Sequence, residues 1–142
     1  MHFVYDDGGR AAAGYKGTAD DCVVRAIAIA AQLPYQEVYD AINEMASSER
    51  RGKRKRSISN ARTGVYKQTS KKYLESMGWK FTATMTIGSG CKTHLRADEL
   101  PPGRLIVKVT KHMVAIIDGV IHDLGDCSRN GTRCVYGYYT KT

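Results

Sequence analysis

The sequence predicts an α+β domain in which N-terminal helices pack on a C-terminal antiparallel β-sheet. Three observations carry that expectation. TADDCVVRAIAIAAQ near the start is a strongly helical run preceded by capping residues. RLIVKV, HMVAIID and VIHDL follow one another with only short turns between them, the pattern of consecutive hairpins. Helical patterns also precede strand patterns instead of alternating with them.

The elements follow in order. Residues 1–19 are rich in Gly and Ala and read as a loop or short strand. Thr18, Asp20 and Asp21 are candidate N-caps for a first helix running to Ala31, apolar on almost every side and therefore central. Pro34 ends it and stands near the first position of a second helix, where Val38, Ile42 and Met45 share a face. A third helix, VYKQTSKKYLESMG, carries Tyr66, Ser70, Tyr73 and Met77 on one side and stops at Gly78. WKFTATMTI alternates like a strand. GSGCKTH is a glycine-rich loop matching no phosphate-loop spacing. Turns at Thr110-Lys111 and Gly119 separate the three hairpin strands, and RCVYGYYTK supplies a last one. No repeat or linker divides the chain, so residues 1–142 read as a single domain.

With 142 residues, 42% hydrophobic and 25% charged, the chain has the length and balance of a globular domain that needs no staple. The apolar run Ala26–Ala31 is far shorter than the ~20 residues a membrane-spanning helix requires. MHFVYDDGGR lacks the basic and apolar regions of a secretion leader, so the expected compartment is the cytoplasm and Cys22, Cys91, Cys127 and Cys134 are expected as free thiols. Cys91, Cys127 and Cys134 read as core or loop thiols. No CxxC pair points to zinc, and neither a metal nor a cofactor is expected.

The net charge of +8 is concentrated. Residues 50–72 hold ten of the 22 basic residues and no acid; Arg50, Arg51, Lys53, Arg54, Lys55 and Arg56 form its densest part. Such a run belongs in a solvated loop, about 48–64, because its self-repulsion cannot be buried. It is a candidate docking patch for nucleic acid or an acidic protein, or a device that steers acidic substrates if it borders a cleft.

Three residues stand where chemistry would want them. Cys22 opens the central helix, whose unpaired N–H groups favour a thiolate. His112 opens a strand, and Asp123 closes the next one, near it across a hairpin pivoting at Asp118-Gly119. A carboxylate there would orient the imidazole and stabilise its charged form, as in a nucleophile–base–orienter relay. His122 competes for the base role, but alternation points it to the opposite face from Asp123. His2 and His94 have no evident partner. Taken singly, each relay residue has a plainer reading: a packed cysteine, a structural histidine, a turn aspartate.

DDCVVRAIA at 20–28, HMVAIIDG at 112–119 and VIHD at 120–123 together resemble the papain-like cysteine peptidase superfamily. The similarity is to its small bacterial and phage members, such as the bacteriocin-processing double-glycine peptidases. It touches both ends of the chain and leaves residues 32–103 as an insertion. The resemblance implies a papain-like fold with Cys22 as nucleophile, His112 as general base and acid, and Asp123 as the orienting carboxylate. The implied activity is hydrolysis or transfer at an amide or thioester of a peptide or protein substrate, with no membrane partner. The family carries a glutamine six residues before the cysteine to complete its oxyanion hole. Here that position is Lys16, so Lys16 or Thr18 is the candidate donor beside the Cys22 amide. Two rival readings remain: a catalytically silent papain-like protein that docks nucleic acid or an acidic host protein through the 50–72 segment, and a structural protein whose cleft is filled.

Overall fold

The computed structural model describes residues 1–17, 19–49, 58–86 and 88–141. Thr18 and the densest part of the expected basic loop, Arg50, Arg51, Lys53, Arg54, Lys55 and Arg56, lie outside the described residues. The chain is an α+β fold in the order β1 (Phe3–Tyr5), α1 (Cys22–Ala31), α2 (Tyr35–Ala46), α3 (Lys67–Ser76), β2 (Trp79–Ala83), β3 (Arg104–Val109), β4 (His112–Ile117), β5 (Val120–Asp123) and β6 (Gly137–Lys141), with a 3₁₀ turn at Ala97–Glu99 before β3.

Every residue of α1 from Val24 to Ala30 is buried, including Arg25, because the helix is apolar all round and sits between the sheet and α2. Asp21 occupies the N-cap position, yet its carboxylate makes no cap bond; it is turned to other partners. Gln32 stops the helix in the left-handed region, and Pro34 is the N-cap residue of α2. Arg104 reaches from β3 to the end of α1, donating to the Ile29 and Ala30 carbonyls at 2.7 and 2.8 Å. A cation there satisfies orphaned carbonyls and complements the helix dipole. On α3 the buried side is Thr69, Ser70, Tyr73 and Leu74, so the expected face is shifted and Tyr66 lies exposed at its edge.

The sheet has the order β1-β5-β4-β3-β6-β2. Val109 pairs with His112 around Thr110-Lys111, and Ile117 with Val120 around Asp118-Gly119, as the hairpin pattern predicts. Asp118 and Gly119 both have positive φ, 48° and 78°, the backbone a tight Asp-Gly hairpin needs. Two expectations are corrected. The sheet is mixed, because β1 pairs parallel with β5, Tyr5 opposite Asp123. Three residues are too few for a period-2 pattern to declare a strand. Second, WKFTATMTI is a strand only as far as Ala83; Thr84 leaves the ladder to bond the backbone of Val135 and Tyr136.

Two apolar clusters lie on opposite faces of the sheet. Ile106, Met113, Ala115 and Tyr139 pack under the helices, whereas Leu105, Val107, Val114, Ile116 and Ile121 meet Leu95, Leu100 and Val135 from irregular segments. Those segments are held together by a Cys91–Cys134 disulfide, with Cα atoms 5.8 Å apart. The expectation of four free thiols is therefore corrected: Cys22 and Cys127 are free, and the other two are bonded. The physical reason is local, since the backbone bridge His94–Cys134 brings the glycine-rich loop alongside Cys134. No helix among the described residues is long and apolar enough to cross a membrane.

Candidate active site

Cys22 is the first residue of α1, and the hairpin of β3 and β4 delivers His112 to it across ninety positions of chain. The sulfur and the imidazole line one cleft, where the His112 side chain and the Met113 backbone both act on the sulfur. Burial alone would push the Cys22 thiol up. The imidazole's hydrogen bond and charge, with the Met113 amide, outweigh that, and the thiol is held below its ordinary 9.0.

The register of β4 and β5 settles a point that pattern leaves open. Ala115 pairs with His122, so His112 and Asp123 have the same parity, opposite to His122. His112 Nε2 lies 2.6 Å from Asp123 Oδ2, which leaves Nδ1 as the ring nitrogen able to serve a sulfur. Burial disfavours the imidazolium, but hydrogen bonds to Asp123, Cys127 and Cys22 and the thiolate's charge raise His112 to about 11. Asp123 is pushed up by burial and drawn down further by His112, the Leu124 amide and Arg25, ending below its ordinary 3.8. His122 instead approaches Asp6, at 3.6 Å.

Behind Asp123 stands a buried file of charges. Arg25 Nη1 donates to Asp123 Oδ1 at 2.6 Å and its Nε to Asp21 Oδ1 at 2.9 Å, while Asp21 Oδ2 accepts from the Tyr35 hydroxyl at 2.7 Å. The order is Tyr35–Asp21–Arg25–Asp123–His112–Cys22. Burial works against the Arg25 charge, and Asp21 and Asp123 more than restore it, so its pKa is raised. Each Arg25 bond is charge-assisted, and the two fix the guanidinium plane, so Asp123 is held from the side opposite His112. Sequence reasoning missed Arg25, Asp21 and Tyr35 as site residues. The available signal was an arginine inside an otherwise apolar helix, four residues after an acid.

No family model, curated protein or solved structure matches the chain. What the site can do must be read from its own geometry.

Cys22 and His112 open onto a cleft of about 370 Å³, lined also by Asp20, Lys67, Lys108 and Lys111. Lys16 is exposed and does not line it; its carbonyl accepts from Arg62 Nη2 at 2.6 Å. Lys16, a candidate oxyanion donor, is thus not among the residues lining the cleft. The other named donor, Thr18, is not among the described residues. The first amides of a helix lack partners within it, and no side chain caps those of α1. The Cys22 N–H therefore remains the donor the fold offers beside the sulfur.

Cys127 is the second sulfur near the ring. Its Sγ, a His112 nitrogen and an Asp123 oxygen lie within 4.8 Å of one another, a mixed sulfur, nitrogen and oxygen set of the type zinc takes. The His112 and Asp123 atoms are already committed to each other, however, and the Arg25 guanidinium stands beside the carboxylate where a cation would add like charge. The arrangement is built to hold a proton, with Cys127 as a further partner for the ring.

Proposed function

We propose that the protein is a cysteine acyl-hydrolase or acyltransferase of papain-like architecture, acting on an amide or thioester of a peptide or protein substrate. The observation that carries this reading is the Cys22–His112–Asp123 file at a cleft, with the thiol lowered, the imidazole raised and the carboxylate 2.6 Å from Nε2. A nucleophilic sulfur at a helix start, facing antiparallel strands that bring the base and its orienting acid, is the arrangement that supports the papain-like assignment.

The chemistry follows from the charges. The Cys22 thiolate attacks the carbonyl carbon, forming a C–S bond, and the Cys22 amide faces the oxygen that becomes negative. The His112 imidazolium gives its proton to the departing nitrogen or sulfur as that bond breaks. Water, or an acceptor amine in transfer, then gives a proton back to His112 and attacks the thioester. The new acyl bond forms, the C–S bond breaks, and the thiolate–imidazolium pair is restored.

The test is alkylation by a small neutral chloroacetamide, followed by intact mass and peptide mapping. Wild-type protein should be labelled at Cys22 at about pH 6, and His112→Ala should slow this roughly a hundredfold as the thiolate fraction collapses. Equal rates in the two proteins at that pH would overturn the reading, because the sulfur would then be an ordinary thiol.

A further inference from the structure

We propose that the cleft selects an acidic peptide, placing an aspartate or glutamate carboxylate of the acyl donor against Lys108, Lys67 and Lys111. The proposal rests on Cys22 being the nucleophile and concerns what that nucleophile is offered.

Three elements that are distant in sequence send a lysine to the same cleft: Lys67 opens α3, Lys108 stands on β3, and Lys111 lies in the β3–β4 turn next to His112. No described carboxylate forms an ion pair with any of them. Arg25, a further cation among the described lining residues, is already bonded to Asp21 and Asp123, and Asp20 is the one acid among them. Local structure does not account for the lysines. Lys67 is the first residue of a helix with no acid in its first turn, where the dipole disfavours a cation. Lys108 pairs with Met113 on the face of the sheet that looks toward the helices, and it is half-buried. Its burial, and the charge of Lys67, hold it below its ordinary 10.5. Like charges gathered in a concave, partly desolvated place focus potential on whatever enters.

A peptide fits better than a nucleic acid because the cleft is centred on a sulfur whose chemistry needs an acyl carbon. Among the described residues, no Phe, Tyr or Trp ring lines it to stack a base.

Two acetylated dipeptidyl acyloxymethyl ketones, identical except for Glu or Gln beside the reactive group, decide the matter by their rates of labelling Cys22. Taking the ratio of rates within one protein cancels the reactivity of the sulfur. The Glu probe should react about fivefold faster or more at low salt, and the ratio should shrink as salt is raised. It should fall to within about twofold in Lys67→Gln/Lys108→Gln, and part of the way in Lys67→Gln alone, an exposed position that risks no misfolding.

A ratio near one, while chloroacetamide still labels Cys22, overturns the selectivity and leaves the nucleophile standing; a ratio unmoved by the lysine variants does the same. Should Cys22 resist every reagent, the nucleophile reading falls. Fluorescence anisotropy of dye-tagged Glu-rich and Gln-rich tetrapeptides then decides the cation site. Binding specific to the Glu peptide and lost in the lysine variants supports it, and no preference overturns it. A single-stranded oligonucleotide that displaces the Glu peptide at lower concentration than a peptide of equal charge overturns it in favour of nucleic acid.

Discussion

Arg25 decides what Asp123 can be. With side-chain accessibilities of 8% on both partners, this ion pair is screened little by water, and removing one member leaves the other buried and uncompensated. Arg25→Gln should therefore cost about 3 kcal/mol in chemical denaturation. It should also move the acid limb of Cys22 alkylation to higher pH, since Asp123 loses one of the charges that keep it ionised; a purely structural role would leave that limb in place. The ionisable groups also set a pH dependence of stability with a definite sign. His112 is raised in the folded protein, so its contribution is complete below its ordinary 6.5 and is lost as pH rises through about 11. Asp123 is lowered, so its contribution is present above its ordinary 3.8 and is lost as pH falls through the depressed value. Both are complete only between those ordinary values. Melting temperature should accordingly decline on the alkaline side of about pH 6.5, and the decline should flatten in His112→Gln. At this scale Cys22, His112 and Asp123 were legible because each sits at an element boundary that the local pattern fixes. Arg25 and Asp21 were not, because an acid just before a helix reads as a cap, and only the folded chain shows it bonded to Arg25 and Tyr35 instead.

Among the elements, β6 has two neighbours to satisfy and little room at Gly137. It pairs with β2 on one side and β3 on the other, and Gly137 faces the Phe81 ring so closely that an added Cβ would lie 2.2 Å from Cζ and 2.7 Å from the Thr82 carbonyl. Gly137→Ala should destabilise by about 1–3 kcal/mol, read from urea midpoints, as overpacking that displaces Phe81 from Tyr139. Phe81→Leu in the same chain should recover part of that loss. The three-strand run β3–β4–β5 was legible almost residue for residue, since alternation and two tight turns fix both period and register. β1 was not, because its pairing with β5 is long-range and parallel, and nothing in FVY specifies a partner.

For the molecule as a whole, the sheet has two differently built faces. Helices cover one, and the sequence announces them by their periodicity. Irregular chain covers the other, where Leu95, Leu100 and Val135 are buried without regular structure to place them. The Cys91–Cys134 bond ties that second layer across a sequence separation of 43. Closing a loop of that length is worth about 4 kcal/mol on the chain-entropy estimate. Cys134→Ser should lower the melting temperature, and wild-type protein under reducing conditions should lose a similar amount, with Cys22 alkylation at about pH 6 retained because neither Cys91 nor Cys134 is among the described residues lining the cleft. The pairing was illegible because spacing does not determine connectivity, and the bridge that aligns the two segments exists only after the sheet has formed.

The charged file from Tyr35 to Cys22 spans the first two helices, the start of β4 and the end of β5, and no two consecutive elements contain it. A nascent or partly opened chain thus carries an ordinary, sluggish sulfhydryl. Under the proposed reading, the sulfur is activated only when tertiary closure brings His112 to it, and a chain still folding carries no such group.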